Sequence, residues 1–393
     1  MTAGLVRLGI CAASLEFSRF GTLSSPLLNE ERVESEAEIG KGDFDAGEIY
    51  CGFTGRSTKL YTGGLFMEIK GKLGFILILC FLLISLALPG YPEEETTTVE
   101  DALGRKVQVP EEVERIVGLE AGALRIITYL EATDLVVGVE TFEKRDRNRP
   151  YRLAHPELAE LPGIGPIHGG DPELIVTAQP EVIFWSYATR KKANVLQSKT
   201  GIPVYVLNPG PPKTMSREEL ETSLRRMGEL IGKEERADEV VRFIEQEIER
   251  LRKLGRNAEK SEAEAYVGGI GQRGAHGIRS TEPTYPPFSF VGLKNSAGSL
   301  GTDHATVNKE KIIQWDPDFL FVDEAGLSLV KDDLRQPEFR SLSAIRSEKV
   351  FGLLPYNYYT TNFGTVLADT YYIGKTVYPE AFEGIDPGEE ADR

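Results

Sequence analysis

Two stretches of this 393-residue chain repeat one another without a gap. Glu173-Leu-Ile-Val-Thr-Ala-Gln-Pro180-Glu181-Val-Ile-Phe184 lines up on Glu310-Lys-Ile-Ile-Gln-Trp-Asp-Pro317-Asp318-Phe-Leu-Phe321. The matching positions are the leading glutamate, Ile175 with Ile312, Val176 with Ile313, the proline, the acid after it, and Phe184 with Phe321. Each copy reads as a short helix, a proline that stops it, and an apolar run too continuous for a half-exposed strand. Such a run suits a strand covered on both faces, as in a parallel sheet. Two copies of one α/β unit predict two similar lobes.

The rest of the pattern agrees. Short β-rich runs at Arg115–Leu119, Leu135–Val139, Val182–Ser186 and Val204–Leu207 alternate with helical stretches, and Ala263–Gly268, Phe319–Asp323 and Val350–Leu353 do the same further on. That alternation predicts parallel sheets with helices on their faces. Between the two sets, Ala237, Val240, Val241, Ile244, Ile248 and Leu251 fall on one face of a helix predicted over Glu234–Leu254. Asp238 with Arg242 and Glu249 with Lys253 are placed as i, i+4 pairs, and Gly255 reads as the stop. At ~1.5 Å per residue this helix is about 30 Å long, enough to cross between lobes and stiff enough to permit only small closing motions. The expected organisation is a first lobe over 97–232, an interlobe helix over 233–255 and a second lobe over 262–393.

The N-terminal part reads differently. Met67, Lys70 and Lys72 precede an apolar stretch from Leu73 to Leu88, followed by Gly90 and the acidic Glu93-Glu94-Glu95. This is the layout of a secretory signal, so 67–90 is expected to act as a signal peptide or N-terminal anchor. Residues 1–66 show no sustained periodicity and are expected to be a mis-assigned or disordered leader, with Met67 as the true start. Everything beyond about Tyr91 is then expected at the outer face of the cell membrane. The net charge of −16 argues against nucleic acid as a partner. All three cysteines, Cys11, Cys51 and Cys80, precede the mature part, which leaves it without a disulfide framework or a cysteine metal site.

Thr97-Thr98-Val99-Glu100-Asp101-Ala102-Leu103-Gly104-Arg105-Lys106-Val107-Gln108-Val109-Pro110, followed by Glu114-Arg115-Ile116-Val117, resembles the opening hairpin and first strand of the iron-complex and vitamin B12 binding proteins of ABC importers. The repeated units and the Glu234–Leu254 helix match as well, so the resemblance runs from Thr97 to Phe382. Within the family the chain looks closest to archaeal iron-compound binders, through Gly268–Gly277 and Leu354–Asn362. The resemblance implies an α/β fold of two Rossmann-like lobes with parallel sheets, joined by a single long rigid helix. It implies no catalysis and no catalytic cofactor, and a monomer that passes its ligand to a permease and ATPase. In the family, glutamates at the positions of Glu173 and Glu310 dock the lobes onto permease arginines. Read from the residues, each is a carboxylate opening a helix, where it complements the dipole.

A site between such lobes belongs at strand C-termini. On the first lobe this selects Glu120 and Gly122, whose helix opening presents backbone N–H groups to an anion, and Trp185 with Tyr187. Arg145, in the run Lys144–Arg149, suits carboxylate or phosphate groups. On the second lobe, the glycine-dense loop Gly268–Gly277 offers Gly271, Arg273 and His276, its glycines expected to let backbone approach a bulky ligand. His276 is the candidate axial ligand to iron or cobalt, with an ordinary hydrogen-bonded loop histidine as the other reading. The prolines around Glu282 and Tyr285 are expected to present those side chains, and Tyr356, Asn357, Tyr358 and Tyr359 form an aromatic cluster suited to a flat ligand.

The expected function is therefore capture of a metal complex, foremost a ferric chelate or siderophore, for an ABC importer. The bound iron or cobalt complex is cargo, with a corrinoid or haem as alternatives. A bare-metal receptor needs converging ligands, and only His155, His168, His276 and His304 are available, none at metal-pair spacing. A chelatase-like enzyme or a sensory ectodomain on the same scaffold stays open on fold grounds.

Overall fold

In the repeated units, the acid after each proline makes the same kind of contact, its carboxylate accepting a backbone N–H at the start of the neighbouring strand. The computed structural model describes residues 95–145, 149–208, 216–258, 262–271, 274–301 and 303–393. The expected leader and signal lie outside them. In the first copy the Pro172–Ala178 helix is capped by the Asp171 side chain and ends at Gln179, held at φ 54°. In the second, the Lys309–Trp315 helix is capped by Asn308 and ends at Asp316, at φ 43°. The Glu181 carboxylate then accepts the Glu114 and Arg115 backbone N–H groups at 2.7 and 3.0 Å. The Asp318 carboxylate accepts the Glu264 N–H at 2.9 Å. Each acid thus ties the start of its own strand to the start of the neighbouring one and sets the register.

An antiparallel hairpin, β1 (Thr96–Glu100) and β2 (Lys106–Pro110), precedes the first lobe. The Asp101–Arg105 ion pair closes its turn, and the Ala102 N–H reaches the Val206 carbonyl at 3.0 Å. β3 (Ile116–Leu119), β4 (Val136–Gly138), β5 (Val182–Ser186) and β6 (Val204–Leu207) form a parallel sheet in the order β4-β3-β5-β6. All residues of β3, β5 and β6 are buried, which explains why the sequence shows continuous apolar runs there. The second lobe holds β7 (Glu264–Gly268), the short β8 (Ser280–Thr281), β9 (Lys294–Asn295) and β10 (Ala305–Thr306), then β11 (Phe319–Asp323) and β12 (Val350–Leu353). Its parallel sheet runs β12-β11-β7-β9, while β8 and β10 pair separately. The two-residue β9, on the open edge, carries too little periodicity to be legible beforehand.

The interlobe helix runs Glu234–Asn257 and buries Ala237, Val241, Ile244, Ile248 and Leu251 as one stripe. It outlasts its expected stop because Gly255 is a packing glycine: a Cβ there would come within 2.4 Å of the Val291 carbonyl oxygen. The expected ion pairs also exchange partners. Asp238 meets Arg225 of the preceding helix at 3.0 Å, and Glu249 meets Arg256 at 2.7 Å. The last helix, Pro387–Ala391, docks on the long one, with Arg250 donating to both oxygens of Glu390 at 2.7 Å and Arg393 reaching Glu247 at 3.2 Å. Among the described residues no helix is long and apolar enough to cross a membrane.

Candidate functional site

The first lobe's strands end in carboxylates and bent backbone. Directly after β3, Glu120 takes φ 70°, and directly after β5, Tyr187 takes φ 59°. Non-glycine residues adopt this left-handed region at a cost that is characteristic of binding sites. After β4 comes Glu140, almost wholly buried. It accepts the Glu120 N–H at 3.0 Å, the Gly169 N–H at 3.2 Å and the Tyr359 hydroxyl at 3.0 Å. Burial pushes its carboxyl up to about 7 despite those three donors. The Glu120 side chain pairs with the exposed His168.

The second lobe reaches the first through the segment after β12. Arg125, buried in the Ala123–Tyr129 helix of the first lobe, donates to the Thr361 carbonyl at 2.6 Å, to Tyr359 at 2.9 Å and to Tyr358 at 3.4 Å. The Tyr187 hydroxyl lies 2.8 Å from Thr360 Oγ1, and the Tyr359 ring sits 4.6 Å from that of Phe142. Arg149 stacks 4.4 Å over Phe142 and 5.2 Å over Tyr359, and its guanidinium meets Glu143 at 2.9 Å. Arg152 lies behind, 3.7 Å from the same carboxylate. Burial raises the Glu143 carboxyl, opposed first by Arg149. The crevice left beside Gly122, Arg125, Thr360 and Phe363 has room for about one water.

The structure brings Glu120, Gly122, Tyr187, Tyr358 and Tyr359 to this junction. Trp185 is nearby: a Cβ on Gly169 would come within 2.9 Å of its ring, so Gly169 must be glycine, and the buried indole N–H meets no acceptor among the described residues. Asn357 bridges to Thr361 at the base of the same loop.

Other expectations require correction. Tyr356 is interior: its hydroxyl donates to both oxygens of Glu282, at 2.5 and 2.6 Å, and its ring lies 5.7 Å from Tyr285. Tyr356, Glu282 and Tyr285 are 1–2% exposed, so they form a buried polar knot and line no open surface. The prolines of Pro286-Pro287 start a helix that packs inward. Arg145 is exposed at the end of a short helix, and Arg149 and Arg152 take the buried positions instead. The glycines of the second-lobe loop admit protein. A Cβ on Gly277 would strike Asp333 at 2.1 Å, and one on Gly271 would touch Ala325 at 3.4 Å. His276 is exposed with its ring 6.4 Å from that of His304, and among the described residues no three metal-ligating side chains gather. Arg273 lies outside the described residues. Glu173 and Glu310 are exposed on the first turns of their helices.

Arg125, Glu140 and Thr360 are not singled out by the sequence, and Arg149 enters there only as the end of the run Lys144–Arg149. Two of them carry a signal in hindsight: Arg125 interrupts the apolar Ala123-Leu-Arg-Ile-Ile127, and Glu140 stands directly beyond an apolar strand.

A family model described as periplasmic binding protein matches residues 116–356. The molybdate-binding protein MolA of Haemophilus influenzae is 25% identical over 342 residues, covering 80% of this chain and 93% of that protein. Its molybdate-bound structure matches with a TM-score of 0.59 at 20% identity, over 75% of this chain and 95% of that one. A periplasmic solute binding protein of Veillonella parvula matches with a TM-score of 0.61 at 16% identity, over 75% and 90%. The petrobactin-binding protein YclQ of Bacillus subtilis matches with a TM-score of 0.54 at 19% identity, over 74% and 100%. At these identities the structural likenesses bear on the fold alone.

Proposed function

This chain belongs to the periplasmic binding protein family, whose model spans more than half of it, and from that premise we propose that it captures an anionic metal complex, first of all a ferric chelate, between its lobes. It is an extracytoplasmic solute-binding protein and not an enzyme. On this reading its partners are the permease and ATPase of an ABC importer, and the solute is cargo.

One observation carries the choice of an anion. Arg125, Arg149 and Arg152 are each at most 3% exposed, and the buried Glu143 carboxylate meets Arg149 at 2.9 Å and Arg152 at 3.7 Å. Glu143 serves two of the three guanidiniums, which leaves Arg125 without an anionic partner at ion-pair distance among the described residues. Buried cations call for anionic partners, and arginine forks suit carboxylate and oxyanion oxygens. A second reading, a molybdate-like oxyanion, is supported by the relative named for molybdate and by the narrowness of the crevice. Titration of the dialysed protein with ferric chelates of differing charge and with molybdate, followed by absorption and mass spectrometry of what is retained, separates the two. Retention of a cationic complex with no anion bound would refute both.

Glu173 and Glu310, exposed and outside the junction, are proposed to dock the permease. Glu173→Ala and Glu310→Ala should each leave solute affinity within about twofold while uptake falls, because an exposed charge acts on its partner. Loss of solute binding in the purified variants would place these residues in the site instead.

A further inference from the structure

Arg125 is buried, yet no carboxylate of the described residues lies within ion-pair distance of it, and its Nε finds no acceptor. Its other donors meet only neutral backbone carbonyls, those of Tyr358, Tyr359 and Thr361. Neutral acceptors satisfy hydrogen bonds but give a buried charge no direct anionic partner, and Glu143 acts on Arg125 only from beyond ion-pair distance. The loop supplying those carbonyls is itself held in an unfavourable shape, with Tyr359 at φ 54° and Thr360 at φ 61°, two successive non-glycine residues in the left-handed region. Side-chain ties hold it there, from Thr360 to Tyr187 and from Tyr359 to Glu140, and the Asn362 amide clasps the carbonyls of Tyr356 and Tyr358.

We propose that Arg125 is a principal solute-binding residue, and that the Tyr358–Thr361 loop is a built-in competitor whose carbonyl oxygens stand where the oxygens of an anionic solute bind. The proposal rests on the reading of the solute as an anion. An oxyanion or carboxylate-bearing chelate replaces neutral acceptors with charged ones, which form the stronger hydrogen bonds with a guanidinium. Displacement also lets Tyr359 and Thr360 leave their strained conformation. The affinity observed is then the intrinsic affinity multiplied by the fraction of molecules with the loop open. A solute without oxygen acceptors has nothing to offer Arg125 and leaves the loop in place, so the device selects for oxygen-rich anions.

Two substitutions test this in opposite directions. Thr360→Val removes the hydroxyl that ties the loop to Tyr187 and leaves the Arg125 donors intact. It should tighten binding of molybdate or ferric citrate, whichever probe the wild-type protein binds, by about two- to tenfold, the worth of one hydrogen bond. Arg125→Lys keeps the charge but loses the fork, and should weaken the same probe by about tenfold or more. Unchanged affinity in Arg125→Lys overturns the assignment of Arg125, and unchanged or weaker affinity in Thr360→Val overturns the competitor role. Hydrogen exchange of the solute-free protein gives a readout independent of any probe. The amides of 357–362 should exchange much faster than those of β5, and faster still in Thr360→Val. Exchange in that loop as slow as in β5 overturns the proposal, whereas fast exchange with neither probe bound counts against the proposed solute class alone.

Discussion

Raising the pH from 5 to 8 should destabilise the protein by several kcal/mol, a large share of the roughly 5–15 kcal/mol typical of a folded domain. Burial pushes Glu140 and Asp323 up to about 7 and Glu282 up to about 8, and raises Asp369 well above its ordinary value. All four are raised, so between about pH 4 and pH 8 the native state holds protons that the unfolded chain has released. Their contribution is complete below the unfolded values and is lost as pH rises through 7 to 8. Each unit of displacement is worth ~1.4 kcal/mol, so several such groups outweigh any one surface pair. The carboxylates displaced the other way, Glu249, Asp316, Glu338 and Glu390, ionise below this window and do not offset the loss. Urea denaturation at pH 5, 6.5 and 8 measures the slope, and stability that is flat or rises with pH contradicts it. Glu282→Gln should flatten the curve, because its amide oxygen still accepts the Tyr356 hydroxyl while no carboxylate remains to ionise.

Arg149→Ala should be the most damaging single substitution at the lobe junction, costing about 3–5 kcal/mol. The guanidinium is fully buried, 2.9 Å from Glu143, and it fills the space between the Phe142, Tyr151 and Tyr359 rings. Removing it leaves Glu143 with the Tyr151 hydroxyl at 2.8 Å and Arg152 at 3.7 Å, which support a carboxylate less well than a direct pair. Adding Glu143→Gln to Arg149→Ala should recover roughly 1–2 kcal/mol, since it removes the stranded charge and leaves only the lost packing. Equal stabilities of the single and double variants, measured by denaturant unfolding, would show that the pair carries no coupling.

The architecture was legible because it is written in short-range patterns. Seven strands of the two main sheets appear as apolar runs between turn residues, and the interlobe helix shows its stripe from Ala237 to Leu251. The repeat was legible as well, but its physical meaning was not. Glu181 and Asp318 recur because each binds the backbone at the start of a neighbouring strand, a contact spanning 67 residues in the first copy and 54 in the second. Gly255 shows the same limit: in one dimension it reads as a helix stop, while in space it admits the Val291 carbonyl.

The site was less legible, for a related reason. Residue type and position after a strand select Tyr356 and Tyr359 equally. Only packing separates them, since Tyr356 turns inward to Glu282 and Tyr359 crosses to Glu140 and Phe142 of the other lobe. Burial inverts the arginines similarly, exposing Arg145 and enclosing Arg149. What the chain determined by itself was the set of elements and their order, because periodicity and turn chemistry act between residues close in sequence. What the tertiary structure alone decided was which polar groups lose water and which partners replace it, because those contacts join residues up to 236 apart, as between Arg125 and Thr361, and no local pattern records them.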